Sequence, residues 1–567
     1  MLLRSSLNHR FRAFSSQVVI PLRGFATHSG PPSLTNAGLA LDPDLARTQG
    51  TVQLLEDIPN SHLPETRHGL PAFTISRDRG FLPRDDPIIN LPPAFSALDS
   101  LLQRMTLIQP DGQPGLLAQG TFGQAVMAEL CDSNVSLEIM KAIDLAIAEN
   151  DQNLLSALFR DYSFLTSAYL LEPVDLHYKQ TGEYCIGRDI LPAPIAVPFK
   201  KLADALGHFP YMEYASSYAL QNFARINPEK PISYDNLRLI RGFQDRNKSS
   251  SESGFILVHV DMVAHSGKLI SAIEKALGAV ATSDRANFNM ALDQMYQAYQ
   301  KINASMHTMW GHSKPADYLK FRSFIFGTGP GKRLNKMFPN GVFYEGVSNE
   351  ALYFRGESGA NDSMIPVGDN LLEITARLPQ NEFTAILRDF RTYRPKTQRD
   401  YVESVEARAT AYQVKRFAEA DPTSLALYVL NVDQIREFRD RHWKFTKSYI
   451  LEHTTYGIAT GGSPIATYLP SNLTTVLNVL GDASKMLGNK PLVDQVDLPS
   501  EYLMAIDECR AKVGPQKAAL DKEVAAIVAR QTAKESGHDR NITSLLESHP
   551  DEKKGLQRGP VGCDGVG

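Results

Sequence analysis

Two histidines occupy places where an imidazole could do chemistry. His442 lies in PTSLALYVLNVDQIREFRDRHWKFTKSYILEHTTYG, residues 422–457, with no Gly or Pro between the two ends. Asp421 as N-cap with Pro422 at the first helical position predicts a helix start, and Gly457 predicts its stop. The helix would run about nine turns, roughly 50 Å. Ile435, Phe438, Phe445 and Tyr449 recur at helical spacing, and His442 shares their face. An imidazole on the buried stripe of a long helix is a good platform for an axial metal ligand. The helix alone equally accommodates a satisfied core histidine, which is the plainer reading. His259, in GFILVHVDM, sits in an apolar stretch where an unpartnered ring is costly. By itself it too reads as a core histidine.

Other groups at useful spacing are Arg322 and Tyr318 in YLKFRSFIFG, four residues apart and so on one helical face. A guanidinium suits bidentate contact with a carboxylate. Two segments, RGESGANDS (355–363) and ATGGS (459–463), are built of small residues that let backbone approach a ligand closely. Competing chemistries fail on spacing. No G-x-x-x-x-G-K-[ST] exists, and GTGPGKR (327–333) lacks a preceding strand. No H-E-x-x-H exists, and His307 and His312 have no nearby acidic partner, a poor zinc site. The four cysteines make no C-x-x-C pair, so neither a zinc ribbon nor covalent c-type haem is supported.

Composition narrows the class further. A net charge of −4 over 567 residues gives no case for nucleic-acid binding. Hydrophobic content of 43% and charged content of 22% are ordinary for a globular chain. No run of 18 apolar residues exists, so no membrane span is expected.

The elements that would position these groups follow in order. Residues 1–41 carry Arg4, Arg10, Arg12 and Arg23, several serines and no carboxylate before Asp42. That is the signature of a mitochondrial presequence, cleaved near Phe25–Ala26; a basic tail on a cytoplasmic protein is the alternative. Residues 42–78 read as an extended arm, and 79–246 as a small N-terminal domain. The polar stretch 244–253 reads as a linker, and 247–535 as a large helical domain. Ser283 is expected to cap a helix to about His307, and further helices cover 398–419 and 515–534. Residues 536–567 read as a disordered tail.

The motifs RDRHWKFTKSYI, YLKFRSFIFG, GVFYEGV, RGESGANDSMIPVGDNLLEI and ATGGS, in this order and spacing, resemble the indoleamine 2,3-dioxygenase family, of the fungal type. The resemblance covers about residues 75–535. It implies a mainly α fold in which a large all-helical domain holds haem b non-covalently, capped by a smaller N-terminal helical or mixed domain. It implies insertion of O2 across the indole C2–C3 bond of L-tryptophan to give N-formylkynurenine, the first step of the kynurenine pathway towards NAD. Partners would be L-tryptophan, O2 and an electron donor that keeps the haem ferrous, and the protein is expected to be a monomer.

Residue by residue, the resemblance matches His442 to the proximal haem ligand, with its second ring nitrogen hydrogen-bonded. Arg439 matches a propionate contact and Asp369 the acid that pairs with it. His259 falls in the distal pocket, to accept the indole N–H or order water, and Phe255 would stack near the indole. Arg322 matches the arginine that binds the substrate carboxylate, with Tyr318 beside it. Ser358, Gly359 and Ala360 match small residues near haem and substrate. Thr460 lies in a lid resembling GTGGT. Two departures stand out. Asp317 replaces an aromatic, predicting weakened tryptophan binding unless it points outward and leaves Tyr318 facing the pocket. Ala459 replaces a glycine at a position expected to need φ > 0. Both departures support the alternative of a diverged haem-binding paralogue or sensor with weak or no dioxygenase activity.

Overall fold

The computed structural model describes residues 52–59, 69–329, 335–374, 389–454, 456–463, 465–488 and 491–548. The expected leader lies outside these residues, as does the tail beyond residue 548. The described part is dominated by helices. The principal ones are α1 (Ser96–Arg104), α2 (Ser133–Ala148), α3 (Gln152–Thr181), α4 (Ala193–Leu206), α5 (Ser251–Val263), α6 (Ser266–Ala281) and α7 (Arg285–His307), followed by α8 (Pro315–Arg322), α9 (Met364–Leu371), α10 (Lys396–Tyr412), α11 (Pro422–Thr446), α12 (Ile465–Met486) and α13 (Ser500–Ser548). Two small sheets complete it: β1 (Ile190–Leu191) runs parallel to β4 (Phe343–Tyr344), and β2 (Phe223–Arg225) antiparallel to β3 (Leu237–Leu239).

α7 is the hub, packing on α5, α6 and α11, while α11 also contacts α12 and α13. Its apolar residues Phe288, Leu292, Met295, Tyr299 and Ile302 are all buried, a stripe at helical spacing that makes this packing possible. The stretch Ser251–Ala281 is long and apolar enough by composition to cross a membrane. Here it forms two helices, α5 and α6, most of whose surface is buried against other helices, so the core accounts for its apolarity.

Towards the N-terminus, α3 carries Asp161 between two buried guanidinia. Arg160 Nε lies 2.7 Å from Oδ1, and Arg241 Nη2, just after β3, lies 2.7 Å from Oδ2. The two cations hold the carboxyl at about 2 although burial opposes this, so it stays ionised and ties α3 to the β2–β3 ribbon.

Several local expectations are corrected. The helix after Ser283 is capped by Asp284, whose side chain accepts from Asn287 N at 3.0 Å; Ser283 itself takes a left-handed φ of 56°. The helix at 398–419 begins at Lys396 and breaks after Tyr412, where Gln413 adopts φ 56°. Pro515 starts no helix but lies inside α13, which runs past residue 535 to Ser548. The polar stretch 244–253 is no loose linker. Ser250–Ser253 are buried, and the Glu252 carboxylate accepts from the backbone N–H of Phe243 and Gln244. A carboxylate that gathers otherwise unpaired amides explains how so polar a stretch sits inside.

Candidate functional site

One wall of the site is built on α11. Asp421 accepts from Ser424 N at 2.8 Å, and Pro422 follows at the first position, as the sequence predicts. The α-helix ends at Thr446 and passes into a π-helical turn, Lys447–Leu451, short of the expected stop at Gly457. His442 lies in its last turns, with Arg439 three residues before. Arg439 Nη2 pairs with Oδ2 of Asp369, carried on α9. Gly368 lets α9 come close: a Cβ there would fall 1.9 Å from the Tyr299 hydroxyl, which donates to Met364 O at 2.8 Å. Arg439 Nη1 and Asp369 Oδ1 remain buried with no hydrogen-bond partner among the described residues.

The His442 ring is pushed down to about 4 by burial first, then by His259 and Arg439. It is therefore neutral at pH 7 and keeps a lone pair to offer. The expected hydrogen bond to its second nitrogen is not found among the described residues: Thr446 Oγ1 donates to the His442 carbonyl, at 2.9 Å, and not to the ring.

The facing wall is assembled from several segments. On α5, Phe255 and His259 lie one turn apart and keep partial accessibility, while most residues around them on the helix are fully buried. Their rings meet edge to face at 4.9 Å, Tyr214 packs 5.8 Å from His259, and Tyr318 packs 5.4 Å from Phe255. His259 Nδ1 lies 2.8 Å from the Phe255 carbonyl. A carbonyl only accepts, so Nδ1 carries the hydrogen and Nε2 of the neutral ring is a bare acceptor. Burial lowers the ring's pKa and keeps it neutral. Nε2 borders Gly359, where a Cβ would stand 3.7 Å away.

Arg322, at the end of α8, is 0% exposed. Its Nη2 donates to Ile458 O at 2.7 Å, and its guanidinium lies over the Phe326 ring at 4.7 Å. Its Nε and Nη1 have no hydrogen-bond partner among the described residues, although the hydroxyls of Tyr318 and Tyr184 lie close enough to feel its charge. Two buried donors left unpaired are costly until something accepts from them.

The two small-residue loops close on each other beside Arg322. A Cβ on Gly356 would meet Gly327 N at 2.3 Å and Thr460 O at 2.4 Å, so only glycine permits this crossing. Thr460 Oγ1 donates to Glu357 O at 2.6 Å, and Arg355 Nη1 donates to Gly461 O at 3.0 Å. A Cβ on Gly461 would lie 3.4 Å from Ser358 Cβ. The Gly359 approach to His259 and the crossing of the 356–358 and 458–461 backbones beside Arg322 thus gather these groups into one region, and His259 lies close enough to His442 to disfavour charge on its ring. Among the described residues no three His, Cys, Asp or Glu side chains cluster as a metal site, so each imidazole stands alone.

The sequence of this chain has known relatives. The family model described as indoleamine 2,3-dioxygenase matches residues 69–461, well over half of the chain. The chain belongs to the indoleamine 2,3-dioxygenase family. It is similar to indoleamine 2,3-dioxygenase 2 of Homo sapiens, 26% identical over 69% of this chain and 87% of that protein. It is also similar to indoleamine 2,3-dioxygenase qulI of Penicillium citrinum, 24% identical over 73% of this chain and 90% of that protein. Against indoleamine 2,3-dioxygenase 2 of Mus musculus it is 27% identical, but spans only 63% of that relative's length.

The family implies haem, and the residues present fit one. A neutral imidazole, an arginine held by Asp369 with one N–H left over for an anionic edge group, and a glycine beside a second neutral imidazole are groups such a ligand can use. Both family departures read differently in three dimensions. Asp317 does not face the pocket: it accepts from Ser251 Oγ at 2.8 Å and pairs with Lys320 at 2.6 Å, leaving Tyr318 to line the wall. Ala459 needs no positive φ; Gly462 takes the left-handed position of that turn, φ 88°. The segment 459–463 is pinned by hydrogen bonds from Gly327 N and Arg355.

Residues that sequence reasoning missed are Tyr214, which packs on His259, and Glu357. The signal for Glu357 was present: a lone carboxylate inside a run of small residues, RGESGA.

Proposed function

We propose that this protein is a haem b-dependent dioxygenase that inserts both atoms of O2 across the indole C2–C3 bond of L-tryptophan, giving N-formylkynurenine. The observation that carries this reading is the pair of buried, neutral imidazoles, His442 and His259, the second close enough to disfavour charge on the first, together with a buried guanidinium whose Nε and Nη1 have no hydrogen-bond partner among the described residues. Bound haem, kept ferrous by an electron donor, would supply the oxygen chemistry, which no side chain can. His442 would hold it through a nitrogen that burial keeps unprotonated, while Arg439, fixed by its pairing with Asp369, would offer its remaining N–H to a propionate at its edge.

The chain's own work is orientation. Arg322 offers Nε and Nη1 to the substrate carboxylate. His259 Nε2, forced to be an acceptor, takes the indole N–H. Phe255 and Tyr318 give the indole an apolar wall that excludes water and strengthens both polar contacts. The rival reading, a haem-binding paralogue with little activity, rested on Asp317 and Ala459, and neither residue now disturbs the site.

The test is a visible spectrum of purified protein with and without L-tryptophan, then turnover with a reductant present. A Soret band, a tryptophan-dependent change and N-formylkynurenine as product are expected. A Soret band without turnover would leave the sensor reading in its place. For the leader we propose mitochondrial import: residues 1–41 should carry a fused reporter into mitochondria, and replacing Arg4, Arg10, Arg12 and Arg23 by Glu should leave it in the cytosol. A native leader that leaves its reporter cytosolic refutes this.

A further inference from the structure

The chain has two tryptophans, and one of them, Trp310, stands 39% exposed on the short helical turn Met309–His312. A single exposed ring is ordinary. The file of rings behind it is what sets this one apart. Phe445 lies 4.5 Å from Trp310 and Tyr449 5.8 Å from it. Tyr318 follows, 5.9 Å from Tyr449, and then Phe255, 5.4 Å from Tyr318, whose ring meets His259 at 4.9 Å. Each step is a ring-to-ring contact, so the file runs unbroken from solvent to His259. Phe445, Tyr449 and Tyr318 are buried. Tyr449 is the joint: among the described residues it is the one ring in contact with both Tyr318 and Trp310. It sits in the π-helical turn that follows α11, a kind of irregularity common at functional sites. Its hydroxyl donates to the Ser313 carbonyl, which fixes it against the Trp310 turn.

We propose that Tyr318, Tyr449 and Trp310 form a one-electron relay that carries oxidising equivalents out of the pocket to solvent. This rests on the haem reading above and goes beyond it, because orienting tryptophan does not require Tyr449 or Trp310. A site that activates O2 must also dispose of oxidant that finds no substrate. Phenol and indole rings give up one electron more readily than phenyl rings, so the two tyrosines and Trp310 carry the charge while Phe255 and Phe445 pack between and beside them. Neither phenol has a base to take its proton: Tyr449 donates to a carbonyl, and Tyr318 lies beside the Arg322 cation. The charge therefore does not settle on them. The Trp310 N–H has no hydrogen-bond partner among the described residues, and this half-exposed indole can release its proton to water. The oxidant is hydrogen peroxide and the final reductant a small thiol. Peroxide takes up two electrons and two protons at the bound haem and leaves as two waters. Trp310 supplies each electron by way of Tyr449 and Tyr318, and its N–H proton goes to solvent. A thiol then returns a hydrogen atom to the indolyl radical, and the two thiyl radicals so formed join as one disulfide.

The test mixes the haem-loaded protein with hydrogen peroxide in the absence of tryptophan and freezes it for electron paramagnetic resonance. Wild type should show an indolyl radical, and added thiol should discharge it. Trp310→Phe should lose the indolyl signal and keep a tyrosyl one. Its Soret band should also bleach faster under repeated peroxide, because the charge has no exit. The chain's other tryptophan is Trp443. An indolyl signal that persists in Trp310→Phe therefore sits on Trp443 and overturns the proposal, as does a wild type with no protein radical. Tyr449→Phe keeps a ring in place and interrupts the file at its joint. It too should lose the indolyl signal, and full retention there overturns the relay even if Trp310→Phe fails to fold. Purified protein without a Soret band sinks the haem reading and the relay together. A normal Soret band with no radical on Trp310 sinks the relay alone.

Discussion

The two walls of the site are made in opposite ways. The His442 wall is local: one capped helix, α11, carries both His442 and Arg439, and a single partner, Asp369, comes from elsewhere. The facing wall is collected from four places: Phe255 and His259 on α5, Tyr318 and Arg322 on α8, the 356–359 turn, and the 458–462 turn. A wall on one helix is held by helix register and capping, so it is rigid and depends on few residues. A wall assembled from four segments is held by pairwise contacts such as Thr460 to Glu357 and Arg322 to Ile458. It can therefore vary piece by piece, which is where substrate choice is adjusted.

If that division is right, damage to the first wall should remove the cofactor and damage to the second should spare it. The largest effect is expected from His442→Ala. Haem content of the purified protein should collapse, because α11 has no second imidazole to substitute. Full haem content with an unchanged spectrum would break the comparison at its strongest point. Arg322→Ala should leave haem in place and raise KM for tryptophan by about ten- to a hundredfold, as loss of a buried bidentate partner does. Tryptamine, which lacks the carboxylate, should bind wild type and variant about equally. Loss of haem in Arg322→Ala would show that the two walls are not separable.

This contrast also explains what could be read in advance. Asp421, Pro422 and the stripe through His442 are local signals, and the structure reproduces that helix start. The end of the helix was less legible, since a π-helical turn replaces the expected run to Gly457, and nothing in KSYIL announces it. On the facing wall, composition and spacing alone left His259 a core histidine, and only family resemblance drew it to the site. Resemblance failed where it depended on register. Asp317 aligns with an aromatic, but Ser251 and Lys320 hold it aside, and partners 66 residues apart in sequence cannot be read from one segment. The turn at 459–463 likewise hid which residue takes positive φ. Glu357 went unremarked because a carboxylate in a Gly/Ser run reads as a solvated turn; only its burial makes it unusual.

Within the facing wall, Tyr318 and Asp317 allow a finer test on neighbouring residues. Tyr318→Ala should raise KM for tryptophan, by roughly 1–3 kcal/mol of lost aromatic burial at most. Asp317→Phe should leave KM nearly unchanged, since that side chain turns towards Ser251 and Lys320. A fall in KM with Asp317→Phe would mean that α8 is rotated from the register seen here, and would return the aromatic position to the pocket.

The smallest effect is one of stability. Burial raises the Glu357 carboxyl from its ordinary 4.5 to about 8. The folded protein therefore holds a proton that the unfolded chain releases above about pH 4.5. In that interval the folded state binds more protons than the unfolded one, so stability contributed by this group falls as pH rises, and the loss is complete above about pH 8. The amide introduced by Glu357→Gln does not titrate and has no such slope. In the absence of substrate, Glu357→Gln should match wild type near pH 4.5 and exceed it at pH 8.5, by on the order of a few degrees in Tm. A difference in Tm that does not change with pH would mean that Glu357 is already neutralised by a partner in the free protein. The distal wall would then lack the stored electrostatic cost that distinguishes it from the wall on α11.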